Sequence, residues 1–160
     1  MRAPAWVVIL ATLVAAAGCG PTVDLSKGLQ ITVVRTGWYD AGIVDGKNKL
    51  VPQITIQLKN LSDQTLGSLQ VNAEFRRVTE QDEWDAELII AAGSEGLKPG
   101  ATTKPLTITS KLGYTGTEPR QQMLQNKLFV DAKVELLAKY GSIQWKRIGE
   151  YPITRQLLTQ

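Results

Sequence analysis

From position 29 onward, apolar and polar residues alternate with a period of two, the pattern of strands that bury one face. Over 29–38 the apolar face is Leu29, Ile31 and Val33. Positions 38–50 are rich in Gly and Asp and read as a connection, with Asp45-Gly46 as a hairpin-turn pair inside it. The cleanest alternation runs over 51–59, where Ile54, Ile56 and Leu58 face inward against Gln53, Thr55, Gln57 and Lys59. A third strand is predicted over 66–78, with Leu69, Val71, Ala73 and Phe75 inward. A polar tip over 79–83 leads to a fourth over 84–91, expected to turn Trp84, Ala86, Leu88 and Ile90 to one side.

Gly93-Ser94-Glu95-Gly96 and Lys98-Pro99-Gly100 are turns, because Gly supplies positive φ and Pro presets its own. The fifth strand, over 103–110, carries Leu106 and Ile108, and Pro105 puts its start at a sheet edge. Alternation fails over 111–127, whose polar second half, 118–126, suits a short helix. A sixth strand over 128–139 offers Leu128, Val130, Ala132, Val134 and Leu136 inward. After Tyr140-Gly141, a seventh over 142–154 carries Ile143, Trp145, Tyr151 and Ile153, with Pro152 again marking an edge. Seven short antiparallel strands with one short helix predict an all-β fold, a two-sheet immunoglobulin-like sandwich, with a small barrel as the alternative.

The chain ahead of this pattern is different. Arg2 precedes an apolar run over 5–17, which closes through Gly18 on Cys19, the one cysteine of the sequence. That layout is a secretory signal peptide. The run is too short to cross a membrane, which takes roughly 18 or more apolar residues. Ala16-Ala17-Gly18-Cys19 resembles the bacterial lipobox, with Ala16 where that family usually has Leu. The resemblance implies a lipid on the Cys19 sulfur, cleavage before Cys19 and acylation of the new amine. The alternative is an ordinary secretory signal that leaves a free thiol. The expected organisation is a signal peptide over 1–18, the lipidated cysteine with a short tether over 19–28, and the sandwich over 29–160. Extended, residues 20–28 reach about 30 Å, so the domain rides close to the lipid. Gly20, rather than Asp, follows the cysteine; the resemblance then implies the periplasmic face of the outer membrane in a Gram-negative cell.

A second resemblance covers 29–110, which is similar to the bacterial FxLYD-type sandwich modules of lipoproteins and surface proteins. It rests on Ile56-Gln57-Leu58-Lys59-Asn60 ending a strand, Ser62-Asp63 after it, a strand reaching Phe75, and Leu97-Lys98-Pro99-Gly100 before the next. Where the module has Leu-Tyr-Asp, this chain has Arg76-Arg77-Val78. The resemblance implies fold and location, and no catalytic residue.

Composition removes several chemistries. With no histidine and one cysteine, Ser–His and Cys–His nucleophilic sites, His-ligated zinc and an intramolecular disulfide are excluded. No Gly-rich phosphate loop occurs, so neither a metal nor an organic cofactor is expected. The formal charge of +3, reduced by loss of Arg2, is too small to point to nucleic acid. The densest acidic cluster, Glu80, Asp82, Glu83, Asp85 and Glu87, does not fit the EF-hand spacing and reads as a solvated hairpin tip. Arg76-Arg77 with Lys104 or Lys111 reads as scattered surface charge, and Phe75 and Trp145 as core.

Trp38, Tyr39, Trp84 and Tyr114 fall at strand ends or in connections. They read either as a partner-binding cluster or as a plug for the open end of the sandwich. If strands alternate in direction, the connections over 38–50, 79–84 and 111–127 lie at the end away from the anchor, and these aromatics with them. The function expected is a lipid-anchored, non-catalytic binding or structural module of the cell envelope, accessory to a trans-envelope complex, with an envelope protein as partner. A small-ligand carrier or a carboxylate-based hydrolase is the alternative.

Overall fold

The computed structural model describes residues 20–159. The leader and Cys19 lie outside the described residues. In chain order the elements are α1 (Leu25–Gly28), β1 (Leu29–Val44), β2 (Lys47–Asn60), β3 (Leu69–Arg77), β4 (Asp85–Ala92), β5 (Leu106–Thr109), β6 (Tyr114–Gly116), α2 (Arg120–Gln125), β7 (Ala132–Lys139), β8 (Lys146–Pro152) and β9 (Leu157–Leu158). They form two sheets. One runs β5-β2-β1-β9, with β6 also paired to β2; the other runs β4-β3-β7-β8. Trp38, Leu50, Ile54, Ile56 and Leu58 from the first meet Leu69, Val71, Phe75, Val134 and Leu136 from the second, all fully buried. This is a β-sandwich, as the alternation predicts.

The stretch over 38–50, expected as a loop, is instead the outer half of a long hairpin that ends at Asp45-Gly46. Both turn residues have positive φ, +50° and +74°, which matches the twist of the flanking strands. Continuous alternation from Leu29, Ile31 and Val33 would face Arg35, Gly37 and Tyr39 inward. A bulge at Val34 changes this: Val33 pairs with Ile56 and Thr36 with Ile54, so Thr36 and Trp38 turn into the core and Tyr39 turns out.

In the fourth strand Ala86, Leu88 and Ile90 share one side as expected, and that side is the outer one. Val71 pairs with Ile89 and Gln70 with Ile90, so Ile89 points inward while Leu88 and Ile90, 57% and 70% exposed, lie on the outer face. The inward positions below Ile89 are Glu87 and Asp85, opposite Ala73 and Phe75. These carboxylates are therefore not part of a freely solvated tip. Asp85 accepts from the Ser110 hydroxyl and from the Lys111 and Leu112 amides, and Glu87 pairs with Lys111 at 2.8 Å, so the two acids tie β4 to the other sheet. The sixth strand begins only at Ala132; Leu128, expected inward, is 87% exposed. Trp145, expected in the core, lies 39% exposed in the turn before β8.

Residues 23–28, expected to belong to the tether, are docked on the body. The Val23 amide donates to the Tyr140 hydroxyl at 2.7 Å, and Leu25 is buried within α1. Asp24 caps that turn by accepting from the Ser26 amide. Only Gly20, Pro21 and Thr22 then separate Val23 from Cys19.

Candidate functional site

The antiparallel order gives the sandwich two ends. The proximal end, nearest residue 20, holds the connections after β2, β4 and β7. The distal end holds the β1–β2 tip, the β3–β4 tip and the long segment from β5 to β7.

Trp38 is fully buried at the distal end rather than presented to a partner. Its ring meets Phe129 edge-on at 4.6 Å between centroids and Tyr114 at 5.5 Å. Tyr114 also lies 4.8 Å from Phe129 and 5.2 Å from Trp84. Offset and edge-to-face contacts of this kind favour ring pairs beyond their burial alone. Of the four aromatics singled out in the sequence, Trp38, Trp84 and Tyr114 therefore come together, and they plug the end of the sandwich. Tyr39 is not among them, being half-buried on the outer face of the first sheet opposite Val51. Burial pushes the Tyr114 phenol above its usual pKa despite the nearby Arg77. Its hydroxyl donates to the Val130 carbonyl at 3.2 Å.

Phe129 was not legible as part of this cluster, because alternation over 128–139 puts Leu128 inward. The structure breaks that alternation with a turn: the Phe129 amide donates to the Asn126 carbonyl, and the Asn126 side chain accepts from the Leu128 amide. The signal available in the sequence was Asn126-Lys127 ahead of the apolar run. Cations cover the rim of the plug. Arg77 lies 5.4 Å over Trp84, and Arg155 5.2 Å over Phe129 while donating to the Phe129 and Leu124 carbonyls.

Around the plug, the distal tips expose Ile43, Val44, Val78, Leu112 and Leu128. Beside Leu128 lies a hollow of about 310 Å³ walled by Tyr114, Glu118, Met123, Asn126 and Phe129. At the proximal end a second hollow, about 490 Å³, is walled by Val23, Asp24, Leu25, Ile143, Trp145 and Lys146. The carboxylate of the first wall is Glu118 and that of the second Asp24. Five other acids are engaged with cations: Glu74 with Arg76, Glu80 with Arg77, Asp40 with Arg120, and Glu135 and Glu150 with Arg147. The Arg76-Arg77 pair thus sits in ion pairs and forms no patch with Lys111. Among the described residues, no group of three or more His, Cys, Asp or Glu is placed to hold a metal ion. No helix among them is long and apolar enough to cross a membrane.

Scans against protein-family models and against curated proteins give no match for this chain. Among solved structures the chain is similar to the one titled "X-ray structure of Northeast Structural Genomics Consortium target SoR45", at 14% identity and a TM-score of 0.45, over 81% of this chain and 89% of that chain.

Proposed function

We propose that this protein is a lipid-anchored, non-catalytic module of a bacterial cell envelope that presents its distal end to a protein partner, as an accessory of a trans-envelope complex. The observation that carries the reading is the asymmetry of the two ends. The body begins at Val23, with three residues between it and Cys19. Five exposed apolar side chains, Ile43, Val44, Val78, Leu112 and Leu128, stand on the tips of the opposite end, against Leu61 and Trp145 on the connections of the near end. An interaction patch on a soluble domain has this composition, apolar tips ringed by Arg and Lys. The lipobox-like Ala16-Ala17-Gly18-Cys19 supports the anchor, and the likeness of 29–110 to FxLYD-type immunoglobulin-like modules agrees with the location. A carrier is disfavoured by the interior, where Trp38, Phe75, Ile54 and Leu136 fill the space between the sheets.

Two measurements test it. Mass spectrometry of the chain recovered from membranes is expected to find Cys19 as the first residue, bearing lipid; an intact leader or a free thiol there refutes the anchor. A photoreactive residue at position 128 is expected to cross-link one discrete envelope protein that the same residue at exposed position 104 does not. Identical patterns from both positions refute distal docking.

A further inference from the structure

The proximal hollow differs from the distal one in what stands at its mouth. Trp145 sits at its edge, exposed, with the Lys139 ammonium 5.0 Å over its ring. The neighbouring Lys146 reaches Asp24, the acid of the wall, at 3.8 Å. Asp24 is already occupied by the Ser26 amide and hydroxyl, and these hydrogen bonds hold its carboxyl below the usual range. The turn therefore shows two ammonium groups, one indole and the apolar flanks of Val23 and Ile143 together.

Its distance from Cys19 is fixed by the chain. Thr22 is part of the wall, and the Gln64 side-chain amide holds the Pro21 carbonyl at 2.6 Å. Three residues span at most about 10 Å, even fully extended. The polar headgroup layer of a bilayer is about 5–8 Å thick on each side. A lipid on Cys19 thus brings this wall to headgroup depth, where tryptophan is enriched and lysine meets phosphate.

We propose that the turn between β7 and β8, with Trp145 flanked by Lys139 and Lys146, is a seat on the phospholipid bilayer. It rests on the anchored reading above. Contact of Trp145 and both lysines with the lipid, added to the short attachment at Cys19, fixes the tilt of the sandwich and keeps the distal tips pointing away from the membrane. The occupant follows from the chain length to Cys19 and from charge: two ammonium groups against the one paired carboxylate suit an anionic lipid surface.

The test uses the mature acylated protein in vesicles of phosphatidylethanolamine and phosphatidylglycerol, with bromine on the acyl chains near the headgroup. Subtracting the spectrum of Trp145→Phe isolates Trp145 from the buried Trp38 and the half-buried Trp84. The expected result is a blue-shifted Trp145 emission, quenched at least about twofold by the bromolipid. Lys139→Gln with Lys146→Gln is expected to relieve part of that quenching. An acylated Cys19 with Trp145 still emitting as in water overturns the seat alone, and leaves the hollow to a protein or a second copy of the chain. A Cys19 without lipid, read by mass spectrometry on the same sample, overturns the anchor and the seat together.

Discussion

At the proximal end the sandwich is closed by one buried asparagine, and at the distal end by a stack of four rings. Asn60 is fully buried where β2 ends. Its side-chain amide donates to the Gln64 and Leu97 carbonyls, and its side-chain oxygen accepts from the Ser62 amide and hydroxyl. Its backbone pairs with Ala101 and Gly100. One buried residue thereby hydrogen-bonds backbone groups of both the 61–65 and the 93–101 connections. At the distal end the centre is filled by volume, and the directed bonds, from Tyr114 and Arg155, lie around it. Trp38 fills space between Tyr114 and Phe129, and its indole N–H has no hydrogen-bond partner among the described residues. The first closure is fixed by the direction of its hydrogen bonds, the second by the fit of its rings.

The largest effect separates the two kinds of closure. Trp38→Ala removes the centre of the plug and is expected to cost about 4 kcal/mol, with a fall in Tm of about 10–15 °C. Trp38→Phe keeps most of the volume and forfeits no hydrogen bond, so its expected cost is about 1–2 kcal/mol. At the other end the conservative change gives no such relief. Asn60→Leu, similar in volume, leaves the Ser62 amide without its acceptor and strips one of two hydrogen bonds from each of the Gln64 and Leu97 carbonyls, which keep the Ser62 hydroxyl and the Leu66 amide. Its expected cost is about 2–3 kcal/mol. Urea unfolding of the three variants checks this. An Asn60→Leu protein as stable as Trp38→Phe would remove the distinction between the ends.

Much of this architecture was readable from alternation, and the places where it was not share one cause. Over 51–59 and 66–78 every strand residue keeps its parity, and the predicted core of Ile54, Ile56, Leu58, Val71 and Phe75 is the observed one. Alternation cannot register an inserted residue. The bulge at Val34 turns Trp38 into the core, and a second irregularity beside Ala91 lets Ala92 pair with Leu69 while Ile89, not Leu88 or Ile90, faces inward. At the bulge a polar residue held the clue, Arg35 at a position that unbroken alternation would turn inward; in β4 the polar residues mislead, because Glu87 and Asp85 share the inward face with Ile89. Asn60 was visible only as a turn residue, because its partners at Gln64 and Leu97 are set by tertiary approach and not by spacing. The candidate site fared similarly. Trp84 and Tyr114 were placed at the right end, but the membership of Phe129 and the exposed tips at Ile43 and Leu128 depend on where the strands stop.

The smallest expected effect distinguishes the ends by acid. Asp85 stands at the distal half of β4 and holds the Lys111–Leu112 backbone, with Glu87 and Lys111 as its charged neighbours. Burial raises its pKa, but the Ser110 hydroxyl and the Lys111 and Leu112 amides outweigh burial and hold the carboxyl below 3.8. A depressed pKa in the folded state means stability that is complete above the unfolded value and lost as pH falls through the folded one. Asp85→Asn is therefore expected to cost about 1 kcal/mol at pH 7, an amount reduced by partial exposure, and the gap to the wild type should close as pH falls from about 5 toward about 2. None of the hydrogen bonds around Asn60 involves a carboxylate, so amide exchange at Lys111 and Leu112 should quicken relative to that at Ser62 over the same interval. Parallel acceleration at both ends would mean that acid acts on the sandwich as a whole, and that the two closures do not open independently.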